Sequence, residues 1–273
     1  MDAIKLIGLD LDGTLLNAEK RVSKRNIQVL RKCLDQGLQI ILVSGRPYCF
    51  ARMIADSISR EVEVIAANGG IYEIGNRYVE YTLEQEALMK VVEIIERSGV
   101  CAFFKGKQEF YTHESYEERF LYDHMNHLFS MDTRVQSYTN LPWDVLRHQV
   151  HDIQKVLVYA PADRLRIARR EVEGIEQLTL TDYQDISFDI NARGVNKGMA
   201  IREVLASKHL MKENFLAIGD GNNDISMFDE AGYTIAMGNA SQTIQDYCDT
   251  VTDSYLDDGV ASGIEKILAY KGF

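Results

Sequence analysis

Four short apolar runs, each cut off by a small polar loop, constrain this chain more than any other feature. Residues 4–9 stop at Asp10-Leu11-Asp12-Gly13 and residues 38–43 stop at Ser44-Gly45. Residues 62–67 stop at Asn68-Gly69-Gly70, and residues 215–218 at Gly219-Asp220-Gly221. Nearly continuous apolar runs of this length suit strands buried on both faces, as in a parallel sheet. Between the first two, residues 23–36 place Ile27, Leu30 and Leu34 at helical spacing, with Gly37 as a stop. That is a βαβ unit, and it makes the class α/β with a Rossmann-like parallel-sheet core. In open sheets of this kind, ligands bind in the crevice beyond the carboxyl ends of the strands. Asp10, Ser44, Asn68 and Asp220 each lie just past such an end, so four distant segments are expected to meet at one edge.

The middle of the chain has a different rhythm. Helical spacing is expected at 84–97, 115–128 and 161–173, and strands at 101–104, 110–112, 153–160, 178–181 and 187–190. The stretch 71–81, with Gly75-Asn76 at its centre, reads as a β-hairpin. Residues 83–186 are far more than one crossover requires, so they are expected to form an inserted α+β domain. The core would then comprise residues 1–82 and 187–273.

The loops carry the chemistry. Asp10 and Asp12, two residues apart at a strand end, suit attack on phosphorus by one carboxylate and proton transfer by the other, with a divalent cation screening both. An Asx turn after a strand would use the same letters. Ser44-Gly45-Arg46-Pro47 offers a hydroxyl and free amides at a helix start, either as an anion site or as a plain cap. Lys197 opens the helical pattern 199–210, where a cation opposes the helix dipole; an ammonium meeting phosphate and carboxylate explains its place better. Gly219-Asp220-Gly221-Asn222-Asn223-Asp224 sets two acids four apart, which suits oxygen ligation of a small hard cation. Magnesium fits better than an EF-hand calcium, whose further acids are missing.

Composition narrows the partners. With 41 acidic and 30 basic residues, the net charge is −11, which argues against a general nucleic-acid binder or a protein held on anionic membrane. No apolar stretch approaches bilayer length, no leader is evident, and Cys33, Cys49, Cys101 and Cys248 are scattered. These features read as a cytoplasmic protein with reduced thiols. Oligomeric state is not legible.

Asp10-Leu11-Asp12-Gly13-Thr14, Ser44, Lys197 and Gly219-Asp220-Gly221-Asn222-Asn223-Asp224 resemble the four ordered motifs of the haloacid dehalogenase superfamily of phosphatases. The insertion between Ser44 and Lys197 resembles the Cof-type branch with a C2B cap, by position and alternating pattern. The resemblance implies that Asp10 is the nucleophile that becomes an aspartyl phosphate, and Asp12 the general acid and then base. It implies Mg²⁺ held by Asp10, the backbone carbonyl of Asp12, and Asp220, with Asp224 in support. Ser44, Gly45, Lys197, Asn223 and the amide of Leu11 would bind the phosphoryl oxygens. Arg46 and Asn68, with Asn191 and Arg193 at the return crossing, are expected either to contact substrate or to serve as hinge and docking residues. The implied substrates are small phosphorylated metabolites, either sugar phosphates or phosphorylated cofactors. A sugar phosphomutase of related fold and a non-catalytic metabolite-binding regulator are the alternatives.

Overall fold

Leu6–Leu9 forms β1, and all four of its residues are buried. The strand's period of two divides them between two cores: Ile7 and Leu9 pack in one cluster, Leu6 in another. Gln39–Val43 (β2) does the same, with Ile40 and Leu42 on one side and Ile41 and Val43 on the other. This two-sided burial is why the runs read as continuous. The computed structural model describes residues 4–75, 77–115, 135–184 and 186–270. The helix expected at 115–128 lies outside them from residue 116 onward.

The larger sheet adds Glu63–Ala66 (β3), Ile71–Ile74 (β4) and Arg77–Glu80 (β5). The smaller takes Cys101–Lys105 (β6), Glu109–Tyr111 (β7), Gln136–Tyr138 (β8), Lys155–Tyr159 (β9), Leu178–Gln184 (β10) and Ser187–Ala192 (β11). Phe215–Gly219 (β12), Tyr233–Ala236 (β13) and Thr250–Val251 (β14) return to the larger. Its order is β14-β13-β12-β1-β2-β3-β4-β5. Pairing is parallel from β14 through β3, and β4 and β5 add an antiparallel hairpin. The chain thus winds outward from β1 through β2 on one side and from β12 through β13 on the other. The switch point of the sheet lies between β1 and β12, where such folds open a crevice.

Helices cover both faces. Lys24–Asp35 begins at Ser23, whose hydroxyl accepts from the Asn26 amide at 3.1 Å. Helix Lys197–Ser207 is capped by Asn196, which accepts from the Met199 amide at 2.8 Å. That cap fixes Lys197 at the first helical position.

The smaller sheet has the order β10-β11-β9-β6-β7-β8 and is antiparallel except where β7 meets β8. Strand β11 pairs within it, so this sheet runs on past residue 186. Val156 and Val158 face its own core, under helices Gln85–Ser98 and Ala162–Glu173. Alternation sends Lys155, Leu157 and Tyr159 to the opposite face, together with Phe103 and Lys105 of β6. Phe103 and Phe110 join the core cluster of the larger sheet. Among the described residues no helix is long and apolar enough to cross a membrane.

Candidate active site

Register brings the strand ends together. Gly8 and Leu9 of β1 lie opposite Ala217 and Ile218 of β12, and the Asp10 amide continues the ladder to the Ile218 carbonyl at 3.0 Å. Asp10 and Asp220 therefore emerge side by side. Lys197 Nζ sits between acids, donating to Asp10 Oδ1 and Asp224 Oδ1 at 2.6 Å each. Its side chain is wholly buried. Asp224 accepts at Oδ2 from the amides of Asp220 and Gly221, both at 3.0 Å, so both its oxygens are engaged. Thr14 Oγ1 donates to Asp220 Oδ1 at 3.0 Å. Asn239 Nδ2 bridges the Gly13 carbonyl at 2.9 Å and Asp220 Oδ2 at 3.3 Å.

Gly13 allows this convergence. Its φ is +83°, and a Cβ there would fall 2.3 Å from Asp220 Oδ2. Gly13→Ala is expected to cost at least about 2 kcal/mol, from backbone strain and displacement of Asp220. A melting curve and a turnover assay check it, and turnover should fall with stability.

Oxygen ligands of Asp10, Asp220 and Asp224 lie within 4.8 Å of one another. Burial, the largest influence, pushes the Asp10 carboxyl well above its usual range; Asp224 and Asp220 add to the rise and Lys197 opposes it. Burial and the Asp224 charge raise Asp220 to about 7. For Lys197, burial works against the charge, but Asp10 and Asp224 outweigh it and hold the ammonium more firmly protonated than a free lysine. Three carboxylates against one ammonium leave surplus negative charge on an all-oxygen donor set. Such a set fits Mg²⁺.

Asp12 stands apart from this cluster. Burial pushes its carboxyl up as well, but Arg46 and Lys20 overcome the effect and hold it far below the usual range. Arg46 grips both oxygens, Nε on Oδ2 at 2.7 Å and Nη2 on Oδ1 at 2.9 Å, and Lys20 Nζ adds a contact at 2.8 Å. The Arg46 guanidinium also lies 5.0 Å above the Phe50 ring.

Ser44 follows β2, and its hydroxyl accepts from the Arg46 amide at 3.1 Å. Asp10, Asp12, Ser44, Gly45, Arg46 and Asn223 share one cavity. Leu11 is fully buried. Asn68 donates to Asp189 Oδ2 at 2.7 Å. Asn191 gives its amide hydrogens to the carbonyls of Ala67 and Gln154, at 2.8 and 2.9 Å. Asn68 and Asn191 thus tie loop and strand of the two sheets together.

Sequence reasoning missed several residues. Thr14 stood inside a motif without a role, and Lys20 had no signal. Asn239 follows a fifth, shorter apolar run, 235–237, which ends at Gly238 as the other runs end at their loops. Lys105, Lys155 and Asp189, from the smaller sheet, line the same cavity.

An acid-lined crevice at the switch point of a doubly wound sheet, with a second sheet beside it, defines an α/β enzyme. The profile of haloacid dehalogenase-like hydrolases matches residues 7–264, and the chain belongs to that family. The resemblance drawn from the four motifs is borne out. A 5-amino-6-(5-phospho-D-ribitylamino)uracil phosphatase of Bacillus subtilis is 28% identical over 262 residues, 96% of this chain and 94% of that one. A phosphoglycolate phosphatase of Methanothermobacter thermautotrophicus is 26% identical over 269 residues, 98% of this chain and all of the other. Among solved structures, a haloacid dehalogenase-like hydrolase from Bacteroides thetaiotaomicron superposes with a TM-score of 0.81 at 26% identity, covering 97% of this chain and 99% of that one.

Proposed function

We propose that the protein is a Mg²⁺-dependent phosphatase that hydrolyses small phosphorylated metabolites through an aspartyl phosphate on Asp10. The observation that carries this reading is the ammonium of Lys197, held at 2.6 Å between Asp10 and Asp224. It leaves Asp10 Oδ2 to attack phosphorus while Oδ1 is anchored. Mg²⁺, held by Asp10, the Asp12 carbonyl and Asp220, would neutralise the acids and the phosphoryl charge. Asp224, with both oxygens engaged, supports that shell without joining it. Ser44, Gly45, Lys197, Asn223 and the Leu11 amide would hold the phosphoryl oxygens.

Asp12 would give a proton to the leaving oxygen and then take one from the attacking water. Because Arg46 and Lys20 hold it ionised, that role requires both cations to turn to the phosphoryl oxygens as substrate enters. The smaller sheet, whose residues 83–186 we take as a cap, would exclude bulk water until the leaving group departs. The phosphatase activity of the relatives supports the same reaction class.

Phosphate release from p-nitrophenyl phosphate tests the proposal. Release with Mg²⁺, abolished by EDTA and restored by added Mg²⁺, is expected. Release indifferent to EDTA would contradict the metal, and transfer to a sugar acceptor in preference to water would favour a mutase.

Linkage gives a second test. The raised Asp220 value means that the folded protein binds this proton more tightly than the unfolded chain. Its contribution is complete below about pH 4 and is lost as pH rises through about 7. The metal-free protein should therefore melt lower at about pH 8 than at about pH 5, and Mg²⁺ should raise the melting temperature more at the higher pH. Equal Mg²⁺ stabilisation at both would count against Asp220 as a ligand.

A further inference from the structure

Asn239 stands in the loop that leaves β13, on a footing that fixes its direction. The Gly238 amide donates to the Asp253 carbonyl at 3.1 Å, and a Cβ on Gly238 would fall 2.8 Å from the Thr252 carbonyl oxygen. The loop is thus pressed onto the segment that follows β14. From that segment the Tyr255 amide donates to Asn239 Oδ1 at 3.1 Å. This contact decides which end of the side-chain amide faces which way. Nδ2 is turned to the Gly13 carbonyl at 2.9 Å and to Asp220 Oδ2 at 3.3 Å. Thr14 Oγ1 holds the other oxygen, Asp220 Oδ1, at 3.0 Å. One donor on each oxygen fixes the plane of the Asp220 carboxylate. Only an amide serves at 239: an aspartate would keep the Tyr255 contact but set a second carboxylate oxygen against Asp220. Asn239 is itself exposed, so packing does not account for its three contacts.

We propose that Asn239 is a positioning residue that makes the site choose Mg²⁺ over Ca²⁺. This rests on the Mg²⁺ reading of the acid cluster. Mg²⁺ demands near-octahedral geometry at about 2.0–2.1 Å, and so needs each carboxylate held in one place. Ca²⁺ takes more oxygens, at about 2.3–2.6 Å, and accepts a carboxylate through both oxygens at once. Held by Thr14 and Asn239, Asp220 is kept from turning both oxygens to one ion. Released at Oδ2, it is free to do so.

Melting curves across Mg²⁺ and Ca²⁺ titrations, without substrate, test this on the wild-type protein and on Asn239→Ala. The shift of melting temperature with ion concentration gives each affinity. Asn239→Ala should bind Mg²⁺ at least about tenfold more weakly, the usual cost of losing a group that orients a metal ligand. Its Ca²⁺ affinity should hold within about threefold or improve, because flexible coordination absorbs the loss. The Mg²⁺ concentration for half-maximal phosphate release should rise by the same factor as the Mg²⁺ dissociation constant. With the side chain exposed, the metal-free melting temperature should move by no more than about 2 °C. Unchanged Mg²⁺ affinity, or equal weakening of both ions, overturns the selectivity role and leaves the Mg²⁺ phosphatase reading standing. So does weaker Mg²⁺ binding that comes with a much lower metal-free melting temperature, which would assign Asn239 to holding the fold. A wild-type protein that Mg²⁺ does not stabilise at any concentration overturns both readings.

Discussion

Asp10→Asn should abolish turnover, lowering kcat by roughly 10⁴-fold or more, as loss of a covalent nucleophile does elsewhere. The protein should nevertheless fold. Burial and two neighbouring acids already disfavour the Asp10 charge, and Lys197 keeps its contact with Asp224. Replacing one of three crowded carboxylates with an amide relieves repulsion, so the metal-free melting temperature should hold or rise. Stabilisation by Mg²⁺ should shrink, because a carboxylate proposed to hold it is gone. Phosphate release assays and melting curves with and without Mg²⁺ check all three. Wild-type turnover in this variant would remove Asp10 from the mechanism.

Lys197→Met should damage stability and activity together. It leaves Asp10 and Asp224 buried without their ammonium, and breaking such a buried pair costs about 3–5 kcal/mol. For a chain of this size that corresponds to a fall of roughly 10 °C in melting temperature. Turnover should drop by about 10³-fold, since a fixed donor to the developing phosphoryl charge is lost. The stability deficit should narrow as pH falls, because protonation of the stranded carboxyls replaces the missing charge. Calorimetry across pH measures it. A deficit that does not change with pH would mean that Lys197 acts through packing of its stem.

The larger sheet was legible because its strands are buried on both faces. The runs at β1, β2, β3 and β12 stop where the sheet stops, and Ser23 caps its helix where spacing placed the start. Strand β14, two residues long, offered no pattern to read. Helix Gly259–Tyr270 was also missed: its Val260-Ala261 and Ile264 face the core, but small residues blur the stripe. At the site, Asp10, Ser44, Lys197 and Asp220 were legible because each stands at a strand end or helix start. Arg46 was legible as a site residue, though not as the partner of Asp12; that contact spans 34 positions and depends on how two loops lean. Lys155 and Asp189 were illegible for the same reason. Each is the one charged residue of its strand, and only the facing of β9 and β11 toward the larger sheet gives them a common cavity.

A crystal structure of the Mg²⁺–beryllofluoride complex tests the central claim most directly. The account predicts the beryllium on Asp10 Oδ2, one Mg²⁺ bridging Asp10 and Asp220, and Lys197 still against Asp10. An adduct on Asp12 or Asp220, or a metal bound away from Asp10, would contradict it.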